Sequence, residues 1–164
     1  MSARLWFLSL SNNYWTTFEE SSFVIPSGLS FLCLSCNFHT RSLPIPSSSN
    51  SLFYAISKNK FSRGMPPIFC NMTSLVFLDL SHNNLSGIMP QCLGNLSKSL
   101  WFLNLEENTF YRPIPKTWEV ENELKVIKLG LKNLQGKLPR SLANYKMLKC
   151  LDLGSNQIID TIPS

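Results

Sequence analysis

Apolar and polar positions alternate along this chain in one recurring phrase. It reads Leu-x-x-Leu-x-Leu-x-x-Asn, and the clearest copy is Leu75, Leu78, Leu80 and Asn83. The next copies are Leu100, Leu103, Leu105 and Asn108, and then Leu124, Ile127 and Leu129, with Lys132 in the place of asparagine. Leu148, Leu151, Leu153 and Asn156 form the last. Upstream the phrase is looser but in phase: Leu5, Leu8, Leu10, Asn13; Leu29, Leu32, Leu34, Asn37; Ser51, Tyr54, Ile56, Asn59. The copies start at 5, 29, 51, 75, 100, 124 and 148, in steps of 22 to 25 residues.

Such a period predicts a solenoid. Each Leu-x-Leu is a short strand whose leucines share one face, because side chains alternate along a strand. A single coil cannot bury that face, and stacked coils bury it in one continuous core. The spacing predicts parallel strands near 77–81, 102–106, 126–130 and 150–154, forming a sheet on the concave side with short 3-10 or irregular segments behind it. The asparagine column (Asn13, Asn37, Asn59, Asn83, Asn108, Asn156) falls where each strand turns away. There its amide can satisfy backbone groups that strand pairing leaves open.

The second half of each copy carries glycine and proline. Residues 85–90 read Leu-Ser-Gly-Ile-Met-Pro and 134–139 read Leu-Gln-Gly-Lys-Leu-Pro, while 61–66 and 110–115 put Arg63 and Arg112 where the glycine falls. Glycine permits a tight turn and proline fixes φ on the return. This resembles the plant-specific extracellular leucine-rich repeat, over nearly the whole chain. Residues 14–25 lack the glycine–proline half, and 42–51 are rich in proline and serine and shorten one step to 22.

A closer likeness lies in Cys70-Asn-Met-Thr-Ser-Leu75, Pro90-Gln-Cys-Leu-Gly94, Gly136-Lys-Leu-Pro-Arg-Ser-Leu-Ala143, Leu151-Asp-Leu-Gly-Ser-Asn156 and Asp160-Thr-Ile-Pro163. These stretches resemble the C-terminal repeats of plant receptor-like proteins, pathogen-resistance receptors that have no kinase domain. The resemblance implies a cell-surface recognition role in defence and a peptide, protein or oligosaccharide ligand. It further implies a co-receptor kinase as partner, and a place at the extracellular face of the plasma membrane. A secreted inhibitor of cell-wall-degrading enzymes uses the same repeat and is the rival reading. A truncated gene product without function is another.

Composition narrows this picture. With 44% hydrophobic and 15% charged residues the 164-residue chain is an ordered domain, expected to be one solenoid over 1–164 with no cap at either end. A net charge of +5 suits an acidic partner but is too small to imply nucleic acid. No stretch reaches the roughly 18 apolar residues that span a bilayer, so membrane attachment is expected only through segments outside this chain. Residues 1–14 do not read as a signal peptide, and the expectation is an internal piece of a longer extracellular protein.

No catalytic constellation, phosphate loop or cofactor motif appears, so a binding module is expected, not an enzyme. Five cysteines leave at least one unpaired within the chain. Cys33 and Cys36 form a Cys-x-x-Cys on a strand and its exit, not at the helix start that redox chemistry wants. With His39 and His82 the only histidines, no zinc set converges. Cys70 and Cys92 lie one coil apart, which brings them within reach of a bridge without requiring one; in the oxidising compartment that the resemblance implies, a bridge and free thiols stand as equal alternatives.

Three features mark candidate surfaces. Sequons stand at Asn71, Asn84 and Asn95, and Asn71 and Asn95 share a place on successive coils, off the strands. The residue before each second leucine makes an outward column, Phe7, Phe31, Phe53, Phe77, Phe102, Val126 and Cys150. It is either an aromatic ladder that stiffens the sheet or an apolar groove for a ligand, centred on Phe77 and Phe102. Basic residues gather from Lys116 to Lys149, and Lys125, Lys128 and Lys149 are placed on or beside the concave face. They form either a solvated face or an anion-binding patch whose edge Glu106 and Glu107 would mark.

Overall fold

The computed structural model describes residues 5–17, 25–45, 52–96, 98–116, 118, 123–130 and 133–161. Ser51, Lys132 and Ser97, the last residue of the Asn95 sequon, lie outside them. One strand from each copy of the phrase joins a seven-stranded parallel sheet. Its strands are β1 (Phe7–Ser9), β2 (Phe31–Cys33), β3 (Leu52–Ala55), β5 (Leu75–Asp79), β7 (Phe102–Asn104), β9 (Val126–Lys128) and β11 (Cys150–Asp152). The register puts Phe7, Phe31, Phe53, Phe77, Phe102, Val126 and Cys150 side by side.

Strands β7, β9 and β11 are shorter than the spacing suggests, and β5 keeps the expected length but begins two residues earlier. Asp79, Asn104 and Asp152 explain the early endings. Asp79 Oδ1 accepts from the Ser81 N–H at 3.0 Å, Asn104 Oδ1 from the Glu106 N–H at 3.0 Å and Asp152 Oδ1 from the Gly154 N–H at 2.9 Å. A side chain that takes the amide two residues on bends the chain out of the sheet. The third residue after each of these then enters a left-handed turn: His82 at φ 51°, Glu107 at 51° and Ser155 at 56°, with Asn12, Cys36 and Lys58 alike in the earlier coils.

Each turn is closed by the ladder asparagine. Asn108 Nδ2 donates to Leu80 O at 2.9 Å in the preceding coil and to Leu105 O at 3.0 Å in its own, while its Oδ1 accepts from the Leu85 N–H at 3.0 Å. Asn37, Asn59, Asn83 and Asn156 repeat this pattern. Asn13 is exposed and bonds only within its own turn, to Leu10 O and Ser11 O.

Behind the ladder the glycine–proline half is more regular than the expected irregular return. It forms further parallel strands: β4 (Ser62–Arg63), β6 (Asn84–Ile88) and β8 (Thr109–Tyr111) in one small sheet, and β10 (Gln135–Gly136) with β12 (Gln157–Ile158) in another. Short 3-10 turns follow at Pro67–Asn71, Gln91–Leu93 and Arg140–Asn144. Each starts directly after an extended proline: Pro66, Pro90 or Pro139. Proline suits that start, since its missing N–H would have no partner in the turn.

The core fills the space between sheet and turns. Leu32, Tyr54, Leu78, Leu103 and Ile127 stack from coil to coil, as do Leu34, Ile56, Leu80, Leu105 and Leu129, all fully buried. Tyr54 takes a leucine's place and needs a partner for its hydroxyl, which donates to Pro44 O at 2.6 Å. Burial drives its phenol pKa far up.

Candidate functional site

The concave sheet presents the positions of Leu32, Tyr54, Leu78, Leu103 and Ile127 to the core and the positions on either side of them to solvent, which makes the outward column the natural site surface. Five of its rings stack: Phe7 on Phe31 at 4.3 Å, Phe31 on Phe53 at 4.5 Å, Phe53 on Phe77 at 3.9 Å and Phe77 on Phe102 at 4.3 Å between centroids, all within 12° of parallel. In-register parallel strands place like residues side by side, and the stack is the result. The stacking leaves Phe31, Phe53, Phe77 and Phe102 half-buried and Phe7, at its end, exposed, so the phenylalanines are in large part sheet structure. Trp101 tilts against Phe77 and Phe102 at 5.6 and 5.7 Å and remains 37% exposed.

Trp101 was not singled out in the sequence, although the pair Trp-Phe precedes Leu-x-Leu twice, at 6–7 and 101–102. Its column continues into Lys125 and Lys149. The link is a backbone irregularity: the N–H groups of both Lys125 and Val126 donate to Trp101 O, and those of both Lys149 and Cys150 donate to Lys125 O. Each shared carbonyl belongs to the residue immediately before a strand, so Trp101, Lys125 and Lys149 hold the same place in successive coils. Lys125 and Lys149 therefore line up beside Trp101, and Lys149 is exposed.

Lys128 behaves differently. It points outward from β9, and its Nζ lies 3.5 Å from Glu106 Oε2. Glu106 thus neutralises one member of the lysine trio instead of marking its edge. Beside that pair a shallow cleft of about 280 Å³ is lined by His82, Glu106, Glu107, Gly130, Asp152, Gly154 and Ser155. The end of the concave face is therefore split in charge, with Lys125 and Lys149 just before the strands and Glu106, Glu107 and Asp152 at or beyond the strand ends, where Lys128 pairs with Glu106.

The remaining candidates lie away from the sheet. Cys70 and Cys92 are bridged, with Cα atoms 5.6 Å apart, and tie two successive 3-10 turns together. Cys33, Cys36 and Cys150 are free thiols, and Cys33 and Cys36 are not joined to one another. Asn71 ends one bridged turn and Asn95 follows the other; both are exposed, as is Asn84 at the start of β6. Asp160 anchors the last return: it accepts from the Thr161 N–H at 2.8 Å and the Leu138 N–H at 3.0 Å. The Thr161 bond, then the Leu138 bond and the charges of Arg140 and Lys137, hold its carboxyl below the usual range against the opposing effect of burial. Among the described residues no group of three or more His, Cys, Asp or Glu could hold a metal ion, and no helix is long and apolar enough to cross a membrane.

Comparisons with known proteins agree with this geometry. The Leucine Rich Repeat family model matches residues 74–96. Receptor-like protein 35 of Arabidopsis thaliana is 38% identical over 159 residues, covering 97% of this chain and 15% of the relative. Receptor-like protein 32 of the same plant is 36% identical over 161 residues, covering 98% of this chain and 16% of the relative. The chain thus spans about a sixth of the length of these relatives. Among solved structures, a TDR receptor superposes with a TM-score of 0.82 at 28% identity over 96% of this chain and 27% of that one. The Arabidopsis receptor kinase HAESA, in complex with the peptide hormone IDA and the co-receptor SERK1, gives 0.80 at 31% identity over 92% of this chain and 25% of that one. The chain is a stretch of leucine-rich repeats and is homologous, over nearly its whole length, to the receptor-like proteins of Arabidopsis.

Proposed function

We propose that this chain is part of the ligand-recognition ectodomain of a plant cell-surface receptor-like protein that acts in defence signalling. It binds and does not catalyse. The ligand is an extracellular peptide with an acidic group, held on the concave face, and the response passes to a co-receptor kinase. The observation that carries this reading is the run of exposed Trp101, half-buried Lys125 and exposed Lys149 beside the stacked Phe77 and Phe102. An apolar ring flanked by cations suits an apolar side chain next to a carboxylate. HAESA, at 31% identity, is a peptide-hormone receptor with a co-receptor, which supports a peptide over a sugar. Lys128 is paired with Glu106 and so adds less charge to the patch than Lys125 and Lys149. Glycans at Asn71, Asn95 and Asn84 would stand off the sheet and leave it open, and the Cys70–Cys92 bridge suits an oxidising compartment.

The test is titration of an aspartate-rich peptide and of oligogalacturonide into the wild type and a Trp101→Ala, Lys125→Ser, Lys149→Ser variant, at low and moderate salt. The peptide should bind the wild type more tightly than the variant. Its affinity should fall steeply with salt, because screening acts over about 8 Å at physiological ionic strength. Equal affinity for both proteins would reduce the patch to a solvated face. Tighter binding of oligogalacturonide than of the peptide would move the reading to a carbohydrate ligand.

A further inference from the structure

Trp6 stands directly before β1 as Trp101 stands directly before β7, and the local geometry repeats with the residue. Trp6 O accepts from the N–H groups of Ser30 and Phe31, just as Trp101 O accepts from those of Lys125 and Val126. Trp6 meets Phe7 at 5.8 Å and 64°, and Trp101 meets Phe102 at 5.7 Å and 62°. The two tryptophans therefore hold one place and one relation to the phenylalanine stack. Rings within the stack cover one another's faces, whereas a ring tilted this far keeps its own faces out of it. Trp6 is 65% exposed and Trp101 37%.

Between them the same place is held by Ser30, Leu52 and Val76, none of which is exposed. Phe31, Phe53 and Phe77 alongside are half-buried, and no charged side chain stands in either row between the tryptophans. The surface is thus an uncharged saddle with an indole at each end. Its length follows from the sheet. The order β1-β2-β3-β5-β7 puts four strand spacings between the tryptophans, and at roughly 4.8 Å each they lie about 19 Å apart. An extended peptide rises roughly 3.3 Å per residue and points successive side chains to opposite faces. Only an even spacing puts two side chains on the face that meets the sheet. Of the even spacings, four residues span about 13 Å, six about 20 Å and eight about 26 Å, so six fits. Lys125 and Lys149 continue the row one and two coils past Trp101, which places cations beyond that end of the saddle.

We propose that Trp6 and Trp101 are paired anchors that select, in an extended acidic peptide, two apolar side chains six residues apart, with the carboxylate beyond the side chain at Trp101. The inference rests on the reading of the concave face as a peptide site, and it adds Trp6 as the residue that sets the spacing. Two contacts on one chain help each other only when both can be made at once, so the saddle measures its ligand. The lysines fix which end of the ligand lies where, because a carboxylate at the Trp101 end meets them and one at the Trp6 end does not.

The test is a spacing series. Peptides blocked at both termini carry two leucines separated by two to seven serines, with two aspartates after the second leucine. They are titrated calorimetrically into the full chain at low salt, together with the same series in reverse order. In the better-binding direction, affinity should peak at five serines, roughly fivefold or more above the two-serine peptide, as partial burial of one more leucine gives. The leucines of the two-serine peptide reach at most about 11 Å apart and so meet one tryptophan only. Trp6→Ala should remove the peak and leave the two-serine peptide unchanged, and Trp6→Phe should restore part of the peak. Trp101→Ala should weaken every member. Equal affinity across the series, or a peak that survives Trp6→Ala, would overturn the proposal and leave a peptide site at Trp101, Lys125 and Lys149 standing. Loss of the two-serine peptide's affinity in Trp6→Ala would make Trp6 a structural residue and overturn it likewise. Absence of binding by every member would overturn both readings.

Discussion

Arg112 sits in a backbone conformation that Gly87 and Gly136 adopt in the coils on either side of it. A left-handed φ costs a residue with a Cβ about 1–2 kcal/mol, and glycine gives back about 0.5–1 kcal/mol through its freer unfolded chain. Arg112→Gly should therefore stabilise the protein by up to about 1 kcal/mol in urea unfolding, and a loss would show that the arginine side chain makes contacts worth more than the strain. His39 poses the opposite case. It lies two residues after its ladder asparagine, in the slot that Phe61, Leu85, Phe110 and Leu134 fill, and it is buried with its ring stacked 5.3 Å from Phe61. The slot was legible in the sequence; a histidine in it was not, because the phrase specifies only that the position be filled. Burial lowers the His39 pKa below 6.5, so the fold keeps the ring neutral while the unfolded chain takes up a proton more readily. That contribution is fully present above about 6.5 and is lost as pH falls from there toward the folded pKa. Relative to His39→Phe, the wild type should lose stability between pH 7 and pH 5. Parallel pH curves for the two proteins would show that His39 is not titrating in the core.

At the scale of elements, the coil-to-coil ties are the ladder and one covalent bridge. Asn108 donates three hydrogen bonds and accepts one, linking two coils through its side chain alone. Asn108→Ala leaves several buried backbone groups without partners, each costing about 1–3 kcal/mol, so a loss of about 2 kcal/mol or more is expected in urea unfolding. Asn13→Ala, at the exposed end of the ladder, should cost well under that. The Cys70–Cys92 bridge closes a loop of 22 residues. On chain-entropy grounds Cys70→Ser with Cys92→Ser should lower stability by about 3 kcal/mol under oxidising conditions, and reduction of the wild type should reproduce the loss. The ladder could be read from one copy of the phrase, since an asparagine after a strand has a stated job. The small sheets β4–β6–β8 and β10–β12 could not. A segment such as Gln135–Gly136 is too short to signal a strand, and it becomes one only because Gln157–Ile158 arrives beside it one coil later, with Gln135 Nε2 donating to Gln157 Oε1 at 2.9 Å. Pairing between repeats is a property of the stack, absent from any single copy.

Over the whole molecule, the same fact separates positions that the sequence writes identically. Leu103 and Leu151 hold the second leucine of the same phrase, in register through Ile127. Leu103 is fully buried, with coils on both sides, whereas Leu151 is 39% exposed on the last strand. In a stack where each coil touches only its neighbours, stability is a sum of coil and interface terms, and an end coil has one interface fewer. The motif tells which residues face the core; the number of coils beyond them decides how much core there is. Leu103→Ala should therefore cost about 2–5 kcal/mol, as large-to-small changes in closed cores do, while Leu151→Ala should cost under about 1 kcal/mol because water already reaches the site. Amide exchange should show the same gradient, with β5 and β7 protected longest and β1 and β11 exchanging first by local opening. Equal losses for the two leucines, together with equal protection at the end and the centre, would mean that β11 is covered in solution, and sedimentation of the chain at rising concentration would then have to reveal the association that covers it.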